Sequence, residues 1–266
     1  MSYFWSSSST SEKPTEPEAR SYLPTAEEKE RMSQIRTILL EKKSEYVKDG
    51  EEEYIFSDMQ VLRFLRGSKQ VTETAAVKLI KHSNWRREHD VECIKDEDIQ
   101  VELDKGYFIA AGTARDGRPL VWVRACQVDK YNRDMSVVYK FIIWCVEKTM
   151  KRTMPEDNRF VLVFDLNDFS LKNMDYEAVK ALVSILQCNY PEVLNLALVV
   201  NSPFIFSACW AVIRPWLDPV TASKVQFVDL DGVRRQIDEV EWPAQYRTVP
   251  AVNNEADSDS ATHSTS

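Results

Sequence analysis

The sequence predicts an α/β fold preceded by a small all-helical region. Three observations predict it. Up to about residue 105 the apolar residues recur at helical spacing, and no run reads as a strand. From Tyr107 onward short apolar runs alternate with helical patterns, which implies a sheet with parallel pairs and right-handed crossovers. Residues 160–166 (FVLVFDL) and 196–200 (LALVV) are nearly unbroken apolar runs, the mark of strands buried on both faces.

The elements follow in chain order. Residues 1–24 contain SSSSTSEKPTEPE and are expected to be a disordered tail, with Tyr3, Phe4 and Trp5 as an apolar tip. Thr25 and Glu28 fit a capping box, and Met32, Ile35 and Leu39 follow on one helix face, closed by the charged run KDGEEE at 48–53. A second helix at 56–66 carries Met59, Leu62 and Leu65, and Gly67 breaks it. A third, at about 72–88, buries Ala76, Leu79 and Ile80. Strands at 107–111 and 120–125 flank the turn Asp116-Gly117-Arg118-Pro119. Val138, Phe141, Ile142, Cys145 and Thr149 mark a helix before the strand at 160–166. Val179, Leu182, Val183 and Leu186 mark the next, before the strand at 196–200. A last strand falls at 225–228, and residues 251–266 are expected to be a disordered acidic tail.

The stretch 195–224 organises the rest. After its strand, Ser202 reads as an N-cap and Pro203 as the first helical residue. In 204–213 only Ser207 is not apolar. A helix apolar all round is buried or borders something as apolar as a core. Periodicity leaves two readings open: a core helix, or the wall of a lipid-sized cavity. Pro215 ends it, and Asp218-Pro219 starts a short turn.

Composition narrows the function. The 266 residues suffice for one large domain or two small ones. Only 6 are glycine, and neither GxGxxG nor GxxxxGK[ST] occurs, so nucleotide chemistry is unsupported. The net charge of -8 speaks against a nucleic-acid surface. There is no GxSxG elbow, and His82, His89 and His263 are too scattered for a triad or metal site, so the chain reads as non-catalytic. Asp165 and Asp168 stand at a strand end, where α/β ligands sit, and fit turn caps equally well. The 5 cysteines form no CxxC, no signal peptide is visible, and no run reaches transmembrane length, so a cytoplasmic protein is expected. Taken alone, Lys224 reads as a surface lysine and Glu192 as a turn residue.

Several motifs, in one order over about residues 55–230, carry a resemblance. LRFLRGSK (62–69) and NWRRE (84–88) look like the small helical N-terminal domain of the CRAL-TRIO lipid-binding proteins. DGRP (116–119), NYPE (189–192), NSPFIF (201–206) and PWLDPVTASK (215–224) look like their lipid-binding domain. The branch most resembled is the fungal-type phosphatidylinositol transfer proteins. The resemblance implies a helical domain at 25–105 and a lipid-binding domain at 106–250. The latter would have a mixed, largely parallel sheet floor, helical walls and a mobile gate helix, which falls on 202–216. It implies headgroup contacts from Lys69, Glu192, Thr221 and Lys224. It puts Phe204, Phe206, Trp210 and Ile213 on the gate and pocket wall, with Phe160 and Leu162 on the floor.

The sequence departs from the family at Ser68 and Val193, where basic residues are usual. It departs again at Phe160 and Leu162, where members that also carry phosphatidylcholine have small hydroxyl residues. A buried choline phosphate needs hydrogen-bonding partners. The expectation is therefore a phosphatidylinositol carrier that contacts membranes transiently, needs no cofactor and excludes phosphatidylcholine. A possible second ligand is an apolar lipid such as a sterol. The alternatives are a neutral-lipid carrier and a protein-interaction scaffold on the same fold.

Overall fold

A computed structural model of the protein describes residues 23–47 and 56–244. The KDGEEE run lies outside the described residues, as do the expected tails apart from Leu23 and Pro24. Helix α1 (Ala26–Glu41) begins as its capping box predicts: the Glu28 amide donates to Thr25 Oγ1 at 3.1 Å, and the Thr25 amide donates to the Glu28 carboxylate at 3.0 Å. It stops at Glu41, short of the charged run, and a 3₁₀ turn follows at Lys43–Glu45. Helix α2 (Asp58–Gly67) is capped by Ser57, and α3 (Thr72–Glu88) has the predicted bounds. Met32, Ile35, Leu39, Leu62, Leu65 and Leu79 join in one core between these three helices. The short α4 (Gln100–Leu103) leads to the sheet.

The sheet has strands β1 (Phe108–Ile109), β2 (Leu120–Arg124), β3 (Phe160–Asp165), β4 (Leu194–Val200) and β5 (Val225–Val228). Their spatial order is their chain order; β1 pairs antiparallel with β2, and the other neighbours are parallel. The spacing predicts a longer first strand at 107–111, but only two residues pair. Beyond them Gly112 turns the chain at φ +78°, with its α-carbon so close to the Glu241 backbone that a side chain would collide. The connections carry α5 (Met135–Met150), α6 (Tyr176–Asn189), and the pair α7 (Phe206–Ile213) and α8 (Pro219–Ser223).

The strands advance in one direction, so right-handed crossovers put all these helices on one face. Alternation along the strands agrees. Val121, Phe160, Leu162 and Ala197 pack towards Ile143 of α5 and Ile185 of α6. Trp122, Val161, Val163, Leu198 and Val200 face the other way, onto Val233, Ile237 and Trp242. Those last residues belong to α9 (Leu230–Gln236) and the segment after it, which the hydrophobic spacing does not predict. Its seven residues, LDGVRRQ, are too short and too charged to show a period. Its one local signal is Asp229, which caps it by accepting from the Gly232 amide at 2.7 Å.

Candidate functional site

Glu192 stands in the turn between α6 and β4. Helix α6 ends at Asn189, Tyr190 is its C-cap, and Glu192 has φ +61°, a left-handed conformation costly for a residue with a Cβ. Lys224 is the C-cap of α8. Asp218 starts that helix by accepting from the amides of Val220 (2.9 Å) and Thr221 (3.0 Å), with Pro219 at the first position. The Lys224 carbonyl accepts from the Ala197 amide of β4 at 2.9 Å, which fixes its backbone beside that strand. Lys224 Nζ consequently lies 4.0 Å from Glu192 Oε2, each side chain 22% exposed. A cation and an acceptor thus meet at a half-open position, at the starts of β4 and β5. The aspartates at the end of β3 are elsewhere: Asp165 accepts from the Asn167 amide and from Asn201 Nδ2, as turn-capping predicts.

Lys69 comes from the helical region. It is exposed, with φ +53°, and Gln70 follows at +65°. A clasp holds this left-handed pair. The Glu28 carboxylate accepts two bonds from Arg66 (2.8 and 2.9 Å) and one from Gln70 Nε2 (3.0 Å), while Arg31 donates to the Gln70 carbonyl at 2.8 Å. The Arg66 hydrogen bond is the largest influence on Glu28 and outweighs burial, lowering its pKa to about 2. Sequence reading finds Glu28 as half of a capping box and misses this second role, which needs α1 and α2 side by side. Gly67 touches Pro191, so the loop carrying Lys69 and the turn carrying Glu192 are pressed together.

Thr221 belongs to the same helix as Lys224, whose amide donates to the Thr221 carbonyl at 3.1 Å. Its hydroxyl already donates to Asp218 Oδ2 at 2.6 Å, so donating to a ligand requires release from that carboxylate. The two positions where a basic residue is usual in the resembled family are inside the protein: Ser68 is buried, and Val193 is 1% exposed in the core under the sheet.

The gate segment differs from its expected form. Ser202 does not cap α7, which starts at Phe206 with Ile205 before it and no side-chain cap. Asn201 leaves β4 at φ +53° with its side-chain Nδ2 donating to Asp165 Oδ1 at 2.8 Å, and tight turns, in which the Phe206 and Ser207 amides donate to the Pro203 and Phe204 carbonyls, lead into the helix. The 3₁₀ turn Arg214–Trp216 completes the segment. Phe206 and Ile213 are buried with Cys209 against Val199, Leu166 and Met174, and Trp210 is half-buried, edge-on to Phe227 at 5.4 Å. Phe204 lines no interior; it is 94% exposed, with Ile205 and Val212 also on the outside. Phe160 and Leu162, 3% and 7% exposed, fill the floor beneath α5 and α6. An open groove of about 600 Å³ lies at the far end of β4 and β5, lined by Val199, Asn201, Ser202, Phe227 and Leu230; the Lys224–Glu192 pair is not part of it. Among the described residues no helix is long and apolar enough to cross a membrane.

Comparison with known proteins adds to this geometry. The family model described as the CRAL/TRIO domain matches residues 103–247. A CRAL-TRIO domain-containing protein of Schizosaccharomyces pombe is 33% identical over 179 residues, which are 64% of this chain and 40% of that protein. A phosphatidylinositol transfer protein of Eremothecium gossypii is 27% identical over 184 residues, 65% of this chain and 42% of that one. The SEC14 cytosolic factor of Yarrowia lipolytica is 29% identical over 226 residues, 76% of this chain and 43% of that one. The chain therefore spans about two fifths of the length of these relatives. The crystal structure of Sfh5 has a similar fold, with a TM-score of 0.60 at 22% identity, covering 80% of this chain and 83% of that one.

Proposed function

Since the chain belongs to the CRAL/TRIO domain family, a family of lipid-binding and lipid-transfer proteins, we propose that it binds phosphatidylinositol and carries it between membranes. The observation that supports this most is the Lys224–Glu192 pair at 4.0 Å, with the Lys69 loop pressed against the same turn. A phosphate taken out of water needs cations and donors. Lys224 and Lys69 would supply them, and Glu192 would accept from the inositol hydroxyls. Moving acyl chains from bilayer to protein is nearly an exchange of one apolar surroundings for another, at about 0.8 kcal/mol per methylene relative to water on either side. Selectivity must then come from these few polar groups.

In this reading α7 is the gate. The segment runs from the far end of β4 back to Lys224 at the near end, so it can cover acyl chains along the whole sheet. The apolar exterior at Phe204, Ile205 and Val212 suits a transient rest on a membrane. Residues 25–105 act as a helical domain and 106–250 as the lipid-binding domain. Phe160 and Leu162 favour exclusion of phosphatidylcholine, and they suit a neutral lipid such as a sterol as a second ligand. Mass spectrometry of lipid that co-purifies with the protein tests the reading. Phosphatidylinositol is expected; a neutral lipid alone would shift the assignment to a sterol-type carrier.

A further inference from the structure

Three consecutive residues ahead of Glu192 are each gripped by residues distant in sequence. Asn189 Oδ1 lies 3.3 Å from Nδ1 of His82, a residue of α3 that is 1% exposed. Tyr190, 4% exposed, sets its ring edge-on to those of His82 (5.9 Å) and Trp85 (6.0 Å), and its hydroxyl donates to Glu147 Oε1 at 2.5 Å. Pro191 meets Gly67 of α2. The Glu147 oxygen that takes the tyrosine also accepts from Arg86 Nη1 of α3 at 2.6 Å, and the same arginine donates to Glu92 at 2.8 and 2.9 Å. Burial works to raise the Glu147 pKa, but the bonds from Arg86 and Tyr190 outweigh it, so the carboxyl sits below its ordinary range and stays charged.

We propose that Glu147 is a positioning residue for the headgroup turn: it touches no lipid, and it holds Tyr190 so that Glu192 meets Lys224. The inference rests on the reading of Glu192 and Lys224 as headgroup contacts. Glu192 needs such a holder. A non-glycine residue in a left-handed conformation persists only where its surroundings over-determine it, and the turn has only residues 190–193 in which to pass from α6 to β4. Charge-assisted bonds are shorter and stronger than neutral ones, which makes the tyrosine–glutamate contact the stiffest of the three grips. The helical region thereby belongs to the lipid site, since Arg86, His82 and Gly67 hold the turn from outside the sheet.

Glu147→Ala would leave Arg86 and Tyr190 without their shared acceptor and is expected to unfold, so Tyr190→Phe is the variant to test. The 266-residue chain would be loaded from vesicles carrying labelled phosphatidylinositol, or labelled diacylglycerol with the same acyl chains, and the release rate of each followed. Tyr190→Phe should lose phosphatidylinositol roughly tenfold faster while releasing diacylglycerol at the unmodified rate. In a Glu192→Ala background the same change should have no further effect. Equal acceleration for both lipids, or losses that multiply in the double variant, would overturn the proposal and leave a purely structural clamp. Lys224→Ala separates the two levels. Faster release in Lys224→Ala but not in Tyr190→Phe rejects the positioning role alone. No effect in either removes the headgroup reading and the positioning role with it.

Discussion

Gly67 and Pro191 meet where the helical region joins the sheet domain, and a Cβ placed on Gly67 would lie 2.7 Å from the Pro191 Cβ. No relaxed packing allows that distance, and a proline ring cannot swing aside. Gly67→Ala gains about 1 kcal/mol of helix propensity and loses about 1–3 kcal/mol to overpacking. Urea unfolding should show a net loss of about 1 kcal/mol. Release of phosphatidylinositol should accelerate by more than this loss accounts for, because the displaced residue is next to Glu192. A variant as stable and as retentive as the unmodified protein would show that the contact is not structural.

Lys69→Ala combined with Lys224→Ala should abolish phosphatidylinositol transfer between vesicles and leave the fold intact. Neither side chain is in the core. Charged hydrogen bonds contribute about 1.5–3 kcal/mol each, so losing two should weaken retention by roughly two to four orders of magnitude. Transfer and thermal unfolding are to be measured on one preparation. Normal transfer by the folded double variant would put the headgroup elsewhere.

Phosphatidylcholine should move far more slowly than phosphatidylinositol. Phe160 and Leu162 fill the floor and carry no hydrogen-bonding group, and a buried choline phosphate without partners is costly. Competition between the two labelled lipids in a vesicle-to-vesicle assay decides it, and equal rates would refute the exclusion.

The gate can be tested from its outside. Phe204, 94% exposed, contributes nothing to the interior, so Phe204→Asp should preserve stability and the retention of lipid already bound. It should slow exchange with vesicles by roughly tenfold to a hundredfold, the worth of burying one large apolar side chain. Hydrogen exchange should find α7, which lacks a capping side chain, opening faster than β4 and slowing when lipid is bound. Identical protection of helix and strand with and without lipid would rule out a moving gate.

Acid should weaken the junction through His82. Burial, reinforced by the positive charges of Arg86 and Arg63 and opposed by Asn189 and Glu147, lowers its pKa from 6.5 to about 4. The unfolded chain therefore binds a proton that the folded one refuses. Stability from this group is complete above pH 6.5 and falls away progressively down to about 4, by about 3 kcal/mol in all. His82→Gln should lose that much less stability than the unmodified protein between pH 7 and pH 4. Parallel stability curves would contradict the assignment.

What local chemistry specifies is legible in the sequence. The apolar runs of β3 and β4, the capping box of α1 and the bounds of α3 depend on neighbours in sequence, and they agree with the structure. Features set by distant partners were not legible. Residues 202–205 look like a helix start, yet the helix begins only at Phe206, after Asn201 has been tied back to Asp165, 36 residues away in sequence. Thr221 looks like a ligand donor, and its proton is held by Asp218. Tyr190 and Glu147 are 43 residues apart, and no spacing rule links a helix C-cap to the last turn of the previous helix. Lys69, Glu192, Thr221 and Lys224 stand out only through the family resemblance; taken alone, the residues read as a loop lysine, a turn residue, a capped helix and a surface lysine.

The coincidence of strand order with chain order bears on how the protein is made. A chain emerging from the ribosome can add each strand to one already in place, with no gap held open for a later arrival. The growing edge moves from β1 to β5, and β5 carries Lys224 at its entrance. The half-built sheet thus holds Glu192 but not its cation, and the pair is completed only when the last strand docks.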